Sequence, residues 1–246
     1  MTIYDELVPY YDQLFPVSAQ QQSFFHGLLR QPRPLKILDA GCGTGRHMEL
    51  FVHWGNQVTG IEPAESMANE ARRRLAWAGQ AVKVLRAPIQ AAADVLTGSY
   101  DFVVCLGNTL AHLSKPGELE QGIAALARLT APGGSLLTQT VHFEKVLQQR
   151  TSPFRDTEII TPHGNTLTFS RRYHFHQAPE IVLFELALIG PDTSLADVIE
   201  LRPIVLAEQT AALENAGYSI AHVWGDWSQI PRHAAAPATI VHARKK

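Results

Sequence analysis

The sequence predicts an α/β protein, a doubly wound and mostly parallel sheet carrying an antiparallel β insertion. Two observations predict it. Apolar runs of strand length alternate with helix-patterned segments about every 20–30 residues up to residue 140. That alternation then gives way to three strand-like runs joined by turn residues, before a last helix and two more strands.

The opening segment reads as an amphipathic helix, with Leu7, Tyr10, Tyr11 and Leu14 about a turn apart. Pro16 interrupts it, and "AQQQSFFHGLLRQ" is a second helix. "LKILDA" is a buried strand, followed by a glycine turn and the helix "RHMELFVHWG". "QVTGIE" is the second strand, and "PAESMANEARRRLAWAG" a helix with Pro63 near its start and Gly79 past its end. "AVKVLRA" is the third strand, with a short apolar helix from Ile89 to Leu96 behind it. "YDFVVCLG" is the fourth, "PGELEQGIAALARLTA" its helix, and "PGG" a turn into "SLLTQTVHF".

The run from Thr157 to Gly190 reads as strand, turn at "PHGN", strand, turn at "APE", strand. On its middle strand Leu167, Phe169, Arg171, Tyr173 and Phe175 share one face, which predicts a meander covered on one side. "LAEQTAALENAGYSIAHVWG" and "ATIVHARK" resume the α/β pattern. The expected organisation is therefore an N-terminal helical lid at 1–34, an α/β core at 35–150, the β insertion at 151–190 as a substrate lid, and completion of the core by 191–246.

Composition narrows the function. With 246 residues, 46% hydrophobic and 18% charged, the chain is an ordinary globular protein long enough to bury a core without staples. No apolar run approaches the ~20 residues of a membrane span. The acidic start "MTIYDELVPYYDQLF" is unlike a secretory signal, and only Cys42 and Cys105 are available for disulfides. A soluble cytoplasmic protein is expected. The net charge of −2, with one basic run at "ARKK", provides no phosphate-neutralising stripe. The expected partner is a small molecule, neutral or zwitterionic, and not a nucleic acid or a membrane; nothing specifies the oligomeric state.

The chemistry concentrates at "KILDAGCGTGRH". Gly41 and Gly43 fit a dinucleotide fingerprint, but its third glycine is replaced by Arg46, with Gly45 one residue early. Glu62, ending the second strand, suits both ribose hydroxyls of a bound nucleoside without choosing which nucleoside. A nicotinamide-dependent oxidoreductase would share Gly41, Gly43 and Glu62.

"LDAGCGTG", "VTGIEPAESM" and "LTAPGG" together resemble three motifs of class I S-adenosylmethionine-dependent methyltransferases, in their order, across residues 35–140. The resemblance implies a Rossmann-like seven-stranded sheet and S-adenosyl-L-methionine as cofactor. It implies backbone approach at Gly41, Cys42, Gly43 and Gly45, and an acceptor at Asp39 for the methionyl ammonium. It places Glu62 on the ribose, with Pro63 and Met67 beside the adenine. After the third strand the family often carries an acid or amide. Here Ala87, Pro88 and Ile89 stand there, leaving backbone or Gln90 for the adenine edge. Tyr11 resembles part of a lid, where a tyrosine face attracts a sulfonium.

"CLGNTLAHL" resembles the fourth-strand motif of glycine and sarcosine N-methyltransferases, which implies cofactor contact at Leu106 and substrate contact at Asn108. His112, one helical turn on, is a candidate for orienting substrate or accepting a proton. Gln139 and Arg202 are further substrate-side candidates. Where glycine N-methyltransferases end the fifth strand in a carboxylate-clamping arginine, Val141 stands here. His174 and His176 read as solvated strand surface, so no metal is expected. The expected function is methyl transfer to a nitrogen of a small molecule, with O-methylation and a non-catalytic S-adenosylmethionine-binding protein as alternatives.

Overall fold

The computed structural model describes residues 3–161, 163–175 and 181–246, apart from the side chains of 80 and 81. The turn at 178–180 and His176 lie outside the described residues. Two short helices open the chain, α1 (Ile3–Leu7) and α2 (Tyr11–Leu14). The single helix expected here is broken after Leu7, where Pro9 lacks the N–H that a continuing helix requires. Helix α3 (Ala19–Leu29) starts at a capping box in which Ser18 and Gln21 satisfy each other's backbone N–H.

The core then alternates β1 (Lys36–Ala40), α4 (Arg46–His53), β2 (Gln57–Glu62), α5 (Glu65–Arg74), β3 (Val82–Arg86), α6 (Ala92–Val95), β4 (Tyr100–Cys105), α7 (Glu118–Leu129) and β5 (Thr130–Val141). "PGG" falls inside β5. The register against β4 jumps between Tyr100 and Phe102, so the strand absorbs the expected turn as an irregularity. After α8 (Phe143–Gln149) come β6 (Thr157–Ile160), β7 (Thr166–Phe175), β8 (Val182–Gly190) and β9 (Thr193–Leu201). Helix α9 (Leu206–Asn215), β10 (Tyr218–Trp224) and β11 (Ala238–Lys245) complete the chain.

The large sheet runs β10-β11-β5-β4-β1-β2-β3. Its five strands β1 to β5 pair in parallel, and β11 lies antiparallel between β5 and β10. The strand order reverses beside β1, where β1 pairs with both β2 and β4, so their carboxyl ends form the crevice of a doubly wound sheet. Apolar residues cover both faces. One cluster includes Leu38, Val103, Ile123, Leu126 and Leu136, and the other Ile37, Phe51, Val58, Phe102 and Ile240.

The small sheet has four antiparallel strands, β6-β7-β8-β9. It extends one strand beyond the expected boundary at residue 190. Strand β9 was missed because Leu195 and Ile199 share a face with the charged Asp197, which blurs the alternation. The sheet's covered face receives the N-terminal helices: Ile3, Leu7 and Leu14 pack with Ile159, Leu167, Phe169, Leu186 and Leu188. Among the described residues, no helix is long and apolar enough to cross a membrane.

Candidate active site

The site grows out of the carboxyl ends of β1 and β2. Gly41, Gly43 and Gly45 all have positive φ, at 82°, 53° and 82°, a backbone that L side chains rarely adopt. A Cβ on Gly41 would come within 2.5 Å of the Thr109 side chain, so space as well as backbone angle demands glycine there. The Gly41 and Cys42 N–H groups donate to Ile61 O at 2.8 and 3.1 Å, pinning the turn to β2. Arg46 begins α4 and lies toward Asp12 and Glu49, so it does not obstruct the packing of helix on sheet.

Glu62 braces this turn. One carboxylate oxygen accepts the Gly43 N–H at 3.0 Å and the other the Ala64 N–H at 2.9 Å. Burial raises its pKa, and the two N–H groups oppose that rise. Asp39 is only 2% exposed, and among the described residues no donor is bonded to its carboxylate. Burial, and then the charge of Glu62, push its pKa up to about 7. A buried carboxylate without a donor is costly to keep unless something else supplies one.

The adenine-side candidates behave differently from one another. Met67, Ala87 and Ile89 are buried, while Pro63 and Pro88 are exposed. Gln90 has a buried side-chain oxygen with no partner among the described residues. Tyr11 covers the glycine turn from above; a Cβ on Gly43 would sit 3.5 Å from its ring. Asp12, next to Tyr11, accepts from Thr44 Oγ1 at 2.7 Å and pairs with the Arg74 guanidinium. On α1, Asp5 accepts from the Ser66 hydroxyl. These latches to the glycine turn and α5 were not anticipated, since Asp12 and Arg74 lie 62 residues apart.

At the end of β4, Leu106 is buried and Asn108 takes a left-handed conformation with φ 68°. Its side-chain oxygen accepts the Val141 N–H at 3.2 Å, while Gln139 accepts the Gly107 N–H through its own side-chain oxygen at 2.8 Å. Asn108 and Gln139 thus tie the β4 turn to the end of β5. A short 3₁₀ turn (Thr109–His112) follows, and Tyr4 Oη lies 3.4 Å from His112 Nε2. Burial lowers the His112 pKa to about 4, so this imidazole is neutral near pH 7.

Two other candidates stand apart. Arg202 anchors its backbone N–H on Ala111 O, but its guanidinium pairs with Glu208 and lies 3.9 Å from Glu120. Its Nη2 is thus already shared between two of the chain's own carboxylates. His174 pairs with Glu185, and no group of metal-ligating side chains occurs among the described residues. Cys42, in the turn after β1, and Cys105, at the end of β4, are buried thiols whose pKa values burial raises, as is usual for inert packing groups.

Comparison with known proteins is consistent with this geometry. Residues 37–134 match the family model described as a methyltransferase domain. A ubiquinone biosynthesis O-methyltransferase from Dechloromonas aromatica is 34% identical over 107 residues, 44% of this chain and 44% of that protein. Glycine N-methyltransferase from Rattus norvegicus is 28% identical over 148 residues, covering 55% and 50%. The alignments thus span about half the length of these curated relatives, or less. Among solved structures, an S-adenosylmethionine-dependent methyltransferase from Clostridium acetobutylicum superposes with TM-score 0.79 over 99% of both chains at 13% identity. An amino pentose methyltransferase from Micromonospora echinaspora gives 0.74 over 100% of this chain and 98% of that one at 22% identity. Residues 37–134 thus match a methyltransferase domain, and the whole chain shares the fold of solved S-adenosylmethionine-dependent methyltransferases.

Proposed function

We propose that the chain transfers a methyl group from S-adenosyl-L-methionine to a nitrogen of a small-molecule acceptor. The observation that carries this reading is the buried Asp39 carboxylate, without a donor, beside a glycine turn whose backbone lies open to close approach. That pairing suits an ammonium and carboxylate on one ligand better than a pyrophosphate, which a carboxylate would repel. Glu62 retains lone pairs beyond those used by Gly43 and Ala64, enough for two ribose hydroxyls. Met67 and Ile89 are suited to an adenine face, and the unpartnered oxygen of Gln90 to its amino group.

The donor supplies an electrophilic methyl on a sulfonium. The protein's contribution is alignment and exclusion of water. Tyr4 and Tyr11 close the site from the N-terminal helices. Asn108, with its side-chain oxygen committed to Val141, keeps its amide N–H groups for the acceptor, and Gln139 holds that turn in place.

Nitrogen is favoured by the character of His112. A base whose conjugate acid has a pKa near 4 is far too weak to take a hydroxyl proton efficiently. It can still accept a hydrogen bond from a neutral amine, which brings its own lone pair. The longer match to glycine N-methyltransferase agrees with this choice.

Calorimetry with S-adenosylhomocysteine and with NAD, then turnover of S-adenosylmethionine on matched amine and phenol panels, tests the reading. Binding of S-adenosylhomocysteine alone and turnover on amines is the expected result. NAD binding, or preferential turnover of phenols, overturns it.

A further inference from the structure

The small sheet contains two arginines, and they differ sharply. Arg172, on the outer face, pairs with Asp156 at 2.8 Å. Arg171 faces the N-terminal helices and has no carboxylate within 4 Å among the described residues. Its guanidinium carbon lies 4.6 Å from the Phe154 ring centre and 5.6 Å from those of Phe15 and Phe169. Aromatic rings attract the cation, but they offer no lone pair to its five N–H groups. Its Nε is buried without a partner, which is an expensive arrangement for a charge-bearing donor.

The sheet's own acid does not answer it. In the cross-strand row Arg171–Leu186–Asp197, Asp197 lies two strands away, about 10 Å by strand spacing. Asp197 is also engaged, accepting the N–H groups of Ile3 and Val198.

Position completes the argument. Phe15, against Arg171, lies 4.8 Å ring to ring from Tyr11, which covers the glycine turn. Tyr173, two residues along the same face, packs in one cluster with Ala111, next to His112, which the Tyr4 hydroxyl approaches. Arg171 therefore stands on the face of the small sheet that receives the N-terminal helices, with two rings, Phe15 and Tyr11, between it and the glycine turn.

We infer that Arg171 is a specificity-determining residue that receives an oxyanion of the methyl acceptor, a carboxylate or a phosphate, held away from the accepting nitrogen. This rests on the methyltransferase reading, and it assigns the role to Arg171 rather than to Arg202, which is already paired with Glu208. A planar fork of donors with its faces already covered is suited to bidentate recognition of an oxyanion.

The test uses the full chain saturated with S-adenosylhomocysteine. Acetate, inorganic phosphate and pyrophosphate are titrated in calorimetry, with chloride at equal ionic strength as the reference. Acetate against the two phosphates separates the possible sources of the group. At least one oxyanion should bind and raise Tm above the chloride reference. In Arg171→Gln its affinity should fall about tenfold or more, and in Arg171→Lys by less, while affinity for S-adenosylhomocysteine stays within about twofold. The wild-type titration and the lysine variant decide the matter even if the glutamine variant unfolds. Oxyanions that bind wild type no better than chloride, or both variants as well as wild type, overturn the inference. Failure of wild type to bind S-adenosylhomocysteine overturns instead the reading beneath it.

Discussion

At the residue scale, Asp39 and Glu62 are two buried carboxylates with different obligations. Asp39 has a folded pKa near 7, above the ordinary value of 3.8, so its contribution to stability is present below about pH 4 and lost as pH rises through 7. The free protein should therefore lose stability over that window, and Asp39→Asn should raise Tm at pH 8 while weakening cofactor binding. An ammonium beside Asp39 restores the ionised form, so binding at pH 6 should release about one proton and tighten as pH approaches 7. Calorimetry of S-adenosylhomocysteine in buffers of differing ionisation heat measures this. Equal proton release by wild type and Asp39→Asn would remove Asp39 from the site. Glu62 instead holds two backbone N–H groups, so Glu62→Ala should cost stability as well as about tenfold or more in S-adenosylhomocysteine affinity. Glu62→Gln keeps the shape and separates the two effects; unchanged affinity in both variants contradicts the placement on the ribose.

At the element scale, α1 and α2 are held from two sides. Leu7 and Leu14 pack on the small sheet, while Asp5 and Asp12 latch to Ser66, Thr44 and Arg74. Asp12→Ala removes the latch beneath Tyr11, including its bond from the Thr44 hydroxyl, and leaves the three glycines of the turn in place. We expect faster release of S-adenosylhomocysteine, an affinity loss of about threefold to tenfold, and faster amide exchange over residues 3–15. An unaltered release rate would mean that these helices do not gate the site. The double attachment also revises the role expected of the insertion. Deleting residues 154–190 would strand β9 and uncover Leu7 and Leu14, so loss of cofactor binding would not separate a lid from a scaffold. The parallel core was legible in the sequence because strand, glycine turn and helix repeat locally. The latches were not, because they join segments far apart in the chain whose pairing no local pattern encodes. Gln90 lay between these cases: its position was readable, and its lack of a partner was not.

At the scale of the whole molecule, the small sheet packs through Tyr173, Val182 and Leu201 against Ala111 and Phe143, just past the ends of β4 and β5, so on the proposed reading acceptor choice depends on what both sheets present. The end of β5 presents Val141, whose N–H is spent on Asn108 and whose side chain cannot donate. Arg202, the nearest alternative expected from sequence, is paired with Glu208. Among the described residues the Asn108 and His112 turn thus has no unpaired cation bonded to it to receive the carboxylate of a small amino acid, and a buried carboxylate without a partner is strongly disfavoured. Arg171 lies behind Phe15, which packs on Tyr11, out of step with an acceptor whose amine and carboxylate share one carbon. Glycine and sarcosine should consequently be poor acceptors, with kcat/KM about a hundredfold or more below that of an amine whose anionic group sits several bonds away. Steady-state kinetics over a series of amino acids of increasing amine-to-carboxylate separation measures this directly. A rise in kcat/KM with separation, abolished in Arg171→Gln and weakened in Arg171→Lys, is the expected pattern; a maximum at glycine would mean that a cation reaches Val141's end of β5 after all.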